Sequence, residues 1–104
     1  MIVYNTTFHF DQDILTEGLS CLKEIYIPKA ISGGFLSRPC LRRIIGMPED
    51  KGDSFAVQFH VKNIDTLNYW IEQDGNLLHR ELSERFGHKM TGFSTLLEEI
   101  DLEV

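Results

Sequence analysis

An α+β sandwich, one antiparallel sheet with two helices on one face, is predicted by three observations. Two stretches alternate apolar and polar residues at the period of a strand, "IVYNTTFHF" at residues 2–10 and "SFAVQFHV" at residues 54–61. Two longer stretches space their apolar residues as a helix does. Leu15, Leu19, Leu22 and Tyr26 mark the first; Leu67, Trp70, Ile71, Leu77, Leu78, Leu82 and Phe86 mark the second. The order strand, helix, strand, strand, helix, strand is that of two split β-α-β halves, a ferredoxin-like topology.

Each element follows from its residues. In the first strand Ile2, Tyr4, Thr6, Phe8 and Phe10 share one face, and Val3, Asn5, Thr7 and His9 share the other. Asp11 or Asp13 then offers an oxygen to cap a helix. Pro28 lacks an N–H and collides with the turn before it, so it should kink or end that helix. Phe35 to Gly46 reads as a second strand, which Pro39 assigns to a sheet edge because it cannot donate to a ladder. "GMPEDKGD" has loop composition. The second helix spans Asn63 to Gly87, with Asn63 or Asp65 as cap, Gly87 as C-cap and Gly75 as the place for a bend. A last strand runs through "KMTGFSTLLEEI" and an acidic tail follows. Strands one and three are expected at the centre of the sheet, as parallel neighbours.

Helices cover one face of such a sheet. The large apolar set Phe8, Phe10, Phe55, Val57 and Phe59 should be covered, leaving Val3, Asn5, Thr7, His9, Ala56, Gln58 and His60 on an open face. If the central strands run parallel, His9 and His60 become neighbours, with Thr7 and Gln58 beside them. That resembles a proton-transfer or metal site in outline. Zinc asks for three or four ligands, however, and no third is evident, so a hydrogen-bonded interface or solvated face is the preferred account and no metal is assigned. Asp74 falls in the middle of the second helix's apolar stripe. A carboxylate there could anchor a ligand or have a raised pKa, but the preferred account is that a bend at Gly75 turns it toward solvent or toward Arg or His. Tyr69 and Trp70 read as core, and His79 and His88 as surface.

The totals exclude several classes. At 104 residues the chain has the size of one domain, residues 1–104, and a modest core that self-association would enlarge. Its 42% hydrophobic content argues against disorder. A net charge of −6, with Arg38, Arg42 and Arg43 as the nearest approach to a basic cluster, argues against nucleic acid. No window suits a membrane span or a leader, so a cytoplasmic location is expected, and Cys21 and Cys40 read as reduced, buried thiols. Phosphate loops, nucleophile elbows and zinc-protease motifs are absent, so no cofactor is assigned.

A resemblance adds to this. "MI-Y-N-T" at the start, Ile27-Pro28, "FAVQF", "W-I-E-Q-D", "ERFG-K" and "T-L-L-E" together resemble a family of short proteins, seen mostly in Bacteroidetes, known as a domain of unknown function. That family is similar to the dimeric α+β barrel proteins. The resemblance implies a homodimer in which two sheets pack face to face, with Asn5, Thr7 and His9 lining the barrel. The wider group includes cofactor-independent monooxygenases, haem-degrading enzymes and muconolactone isomerases, several with a pocket between sheet and helices. For this chain that implies Tyr4, Trp70, Asp74 and their neighbours, with His60 as a further candidate. Two functions follow as expectations. One is a homodimeric module that binds a small organic ligand or regulates a partner. The other is a cofactor-independent enzyme acting on an aromatic or quinone-like molecule, which would need a closed pocket of about 300 Å³ or more.

Overall fold

The computed structural model describes residues 1–46 and 51–103. The centre of the expected "GMPEDKGD" loop, Met47 to Asp50, therefore lies outside the described residues. Strands β1 (Ile2–Asp11), β2 (Leu36–Ile44), β3 (Gly52–Val61) and β4 (Met90–Glu98) form one sheet in the order β2-β3-β1-β4. Helix α1 consists of Leu15–Cys21, a π-helical stretch Leu22–Tyr26, and Ile27–Ile31. Helix α2 is built alike, from Ile64–Trp70, a π-helical stretch Ile71–Gly75, and Asn76–Phe86. The result is the expected ferredoxin-like α+β fold.

One expectation about direction fails. β1 and β3 are the central pair, but they run antiparallel, as every neighbouring pair here does. The connectivity requires it. β2 and β3 pair antiparallel, and the α1 crossover returns β2 parallel to β1 but one strand away. β3 fills the gap and opposes both.

Pro28 does not end α1. In the turn before it, the Ile27 N–H reaches back five residues to the Leu22 carbonyl. That widened turn gives the ring room where Pro28 has no N–H to contribute. Neither Asp11 nor Asp13 caps the helix with its side chain; the Asp13 carboxylate accepts instead from Lys89 beside β4. Asn63 does cap α2, accepting from the Thr66 N–H at 2.8 Å. Pro39 sits in β2 at the sheet edge, inside a register shift between Ser37 and Cys40 where Arg38 takes φ +50°. A proline and a bulge of this kind blunt an edge against further strand pairing.

The core lies between the sheet and the helices. Tyr4, Phe8, Phe10, Phe55, Val57, Phe59 and Val61 enter from the sheet; Leu22, Tyr26, Leu67, Trp70, Leu82 and Phe86 come from the helices. Among the described residues, no helix is long and apolar enough to cross a membrane.

Candidate functional site

The open face of the sheet carries Val3, Asn5, Thr7 and His9 from β1, and Ala56, Gln58 and His60 from β3. In register beside them stand Cys40 and Arg42 of β2 and Phe93, Thr95 and Leu97 of β4. Hydrogen bonds within the face join Asn5 Nδ2 to Thr7 Oγ1 at 3.3 Å and Arg42 Nη1 to Gln58 Oε1 at 3.1 Å. Asn5 Oδ1 is buried and has no partner. Phe93 is 65% exposed in the same patch.

His9 and His60 are not neighbours. His9 lies opposite Ser54, whose hydroxyl is 2.9 Å from its Nδ1, while His60 lies opposite Val3 at the other end of β1. Six residues of strand, about 20 Å, separate the two rings. The antiparallel pairing of β1 and β3 is the reason, and it removes the two-histidine site. Among the described residues, no three His, Cys, Asp or Glu side chains gather to hold a metal.

Beneath the helices, the expected residues do not converge either. Trp70 is fully buried, its indole N–H donating to the Ala30 carbonyl at 3.1 Å, and its ring meets Tyr4 edge-on at 5.7 Å. Both rings fill space that a ligand would need. Asp74 lies half-buried in a surface groove between the helices with Lys29, Ser32, Leu77, Leu78 and Glu81. It does not face the sheet. The π-helical stretch at Ile71–Gly75 inserts one extra residue into the helical period, so the buried stripe passes from Trp70 to Gly75, Leu78 and Leu82.

The same shift brings in a residue that the sequence pattern assigns to the surface. His79 Nε2 lies 2.9 Å from the Tyr26 hydroxyl, and its ring stands 6.1 Å from that of Phe8. Thr6, buried on the apolar face of β1, sits 3.0 Å from the Ser94 hydroxyl, which is 3.4 Å from the Tyr4 phenol. Thr6, Ser94 and Tyr4 form one polar cluster, and Tyr26 with His79 forms another, within an apolar core. Burial raises the Tyr26 phenol far above its ordinary range, with Thr6 opposing the rise, and lowers the His79 imidazole. Both are therefore neutral at pH 7, and the His79 tautomer sets which of the two donates. The one readable sign was Thr6, a hydroxyl among aromatics on the covered face.

A cavity of about 50 Å³ opens beside Tyr26 between the helices, lined by Cys21, Ile25, Leu78, Glu81, Leu82 and Arg85. It has room for water but not for a ring compound. The Cys21 thiol in its wall is buried, which raises its pKa and keeps it protonated despite Arg85 at 3.9 Å. Cys40 is free too, half-buried on the open face.

The family model for a domain of unknown function, DUF4286, matches residues 1–100. The chain belongs to that family. No curated protein matches it in sequence. Among solved structures, it is similar to an ethyl tert-butyl ether D (EthD) family protein from Bacillus halodurans. There the TM-score is 0.69 at 16% identity, over 96% of this chain and 100% of that one. A cofactor-independent oxygenase from Streptomyces nogalater, SnoaB, gives 0.64 at 14% identity, over 96% and 94%. A dimeric ferredoxin-like protein from an uncultured marine organism gives 0.64 at 9% identity, over 99% and 97%. At these identities the likeness is one of fold.

Proposed function

We propose that two DUF4286 chains pack sheet against sheet and act as a homodimeric module that holds a small organic ligand. The state of the open face carries the reading. Asn5 Oδ1 is buried there without a donor, which costs about 1–3 kcal/mol unless a partner supplies one. Phe93, 65% exposed, and Leu97, 44% exposed, lie in the same patch. A twofold packing sets this surface against itself, so Val3, Asn5, Thr7, His9, Gln58 and His60 become interface residues. The dimeric ferredoxin-like proteins of similar fold support that assembly. With the open face occupied, the ligand falls to the helix side, where Asp74 lines a surface groove with Lys29 and Ser32.

A thermal-shift screen of neutral aromatic compounds tests the ligand half. A binder raises the melting temperature with its concentration, by mass action; a full set of such compounds with no effect contradicts it.

The second reading is a cofactor-independent enzyme of the monooxygenase or isomerase type, acting on an aromatic or quinone-like molecule. One observation favours it, a neutral imidazole held on a phenol in a water-poor setting, ready to accept a proton. Turnover that survives His79→Gln would count against it.

A further inference from the structure

We propose that the groove between the helices at Asp74 binds an uncharged, single-ring aromatic amide. Its N–H donates to the Asp74 carboxylate and its C=O accepts from Lys29. This rests on the reading of the chain as a small-ligand module and gives that ligand a seat and a chemical class.

The seat is built from both helices. On α2, the π-helical stretch Ile71–Gly75 carries Asp74 and turns it off the buried stripe into the groove. Turns of this kind recur at functional sites. On the facing side α1 ends at Ile31, and Ser32, Gly33 and Gly34 lead toward β2. Gly33 leaves one corner open. A Cβ there would stand 3.3 Å from Phe35 Cδ2 and 3.9 Å from Asp74 Oδ2. The Phe35 ring and the Asp74 carboxylate therefore meet over a piece of bare backbone. Phe35 is exposed and meets the exposed Tyr69 ring edge-on at 5.2 Å, so an aromatic wall already stands at that corner. Leu77, exposed too, adds an apolar surface to the groove. The groove measures about 210 Å³. A cavity of about 150 Å³ takes a benzene ring, so one substituted ring fits.

The polar groups set the class. Among the described residues Asp74 makes no ion pair, so both its oxygens can accept. Lys29, on α1, lies 3.9 Å from Glu81 in the same groove. That pairing uses one of its three ammonium donors and leaves two. A cationic ligand would meet the Lys29 ammonium, and an anionic one would meet Asp74 and Glu81. A neutral molecule that both donates and accepts meets neither repulsion. A phenol must play both parts with one oxygen, whereas Asp74 and Lys29 stand on different helices. A ring amide carries its donor and its acceptor on separate atoms.

The probe is 2-pyridone, a neutral ring with one N–H and one C=O. Its control is 1-methyl-2-pyridone, which keeps the ring and the carbonyl and has no N–H. In NMR titrations 2-pyridone should saturate, moving the amide resonances of Gly33, Tyr69 and Asp74. The N-methyl compound should bind at least about tenfold more weakly, the worth of one hydrogen bond to a charged group. Asp74→Ala should lose a similar factor for 2-pyridone and cease to distinguish the two compounds. Gly33→Ala fills the open corner at the cost of a small shift of the Phe35 ring. It should weaken 2-pyridone as well, and it guards against a folding defect in the first variant. Absence of saturable 2-pyridone binding overturns the proposal. So does equal binding of the two compounds, or an Asp74→Ala or Gly33→Ala protein that binds 2-pyridone like wild type. If other neutral aromatic compounds raise the melting temperature and 2-pyridone does not bind, the amide at Asp74 falls and the ligand module stands. If no neutral aromatic compound binds, both fall.

Discussion

The Tyr26 phenol and the His79 imidazole meet at 2.9 Å, joining helix α1 to helix α2 above Phe8. Fifty-three residues of chain separate the two groups, so the bond exists only once both helices have docked. It is a polar tie in a layer otherwise held by aromatic packing.

Acid should loosen that layer. Burial lowers the folded-state pKa of His79, while the unfolded chain keeps a value near 6.5. Below about pH 6.5 the unfolded state binds a proton that the folded site resists. Stability therefore falls as pH drops through this range, and the loss levels off below the folded pKa. Melting curves from pH 8 to pH 5 should show the decline in wild type and a shallower one in His79→Gln. Equal slopes would show that His79 does not titrate with folding.

Removing the Tyr26 hydroxyl should cost stability out of proportion to one oxygen. Tyr26→Phe leaves His79 Nε2 without its hydrogen-bond partner. We expect a loss of about 1–3 kcal/mol in urea unfolding. The double variant Tyr26→Phe, His79→Leu should recover part of it, since both polar groups then leave the core together. No recovery would argue that the pair is not coupled.

Gly75 gives a prediction whose sign is unusual. Glycine to alanine inside a helix normally stabilises by about 1 kcal/mol. Here a Cβ would stand 2.5 Å from Trp70 Cζ3, and Trp70 has no free space to yield. Overpacking of this kind costs about 1–3 kcal/mol. Gly75→Ala should therefore lower the urea midpoint, and a raised midpoint would show that the indole moves aside.

The parts that were legible in the sequence are those governed by a simple period. Alternation in β1 and β3 sorted Phe8, Phe10, Phe55, Val57 and Phe59 onto the covered face, and all five are buried. Pro39 placed β2 at an edge. What stayed hidden depends on breaks in period or on long-range pairing. One inserted residue at Ile71–Gly75 moved Asp74 out of the stripe and His79 into it, and no local residue type announces a π turn. The His9–His60 pair failed because strand direction is set by the connections, which alternation within a strand does not report. Thr6 was visible as a polar residue on an apolar face, yet its meaning needed Ser94 and Tyr4 beside it.

Sedimentation velocity over a wide protein concentration range, on wild type and Phe93→Asp, tests the account most directly. Phe93 lies on the open face opposite Thr7, diagonal to Asn5 with its unpartnered oxygen. The account predicts twice the chain mass for wild type and the single-chain mass for Phe93→Asp, since burying an unpaired carboxylate in an apolar interface is strongly disfavoured. A wild-type protein that sediments as one chain throughout, or a dimer indifferent to the aspartate, would contradict it.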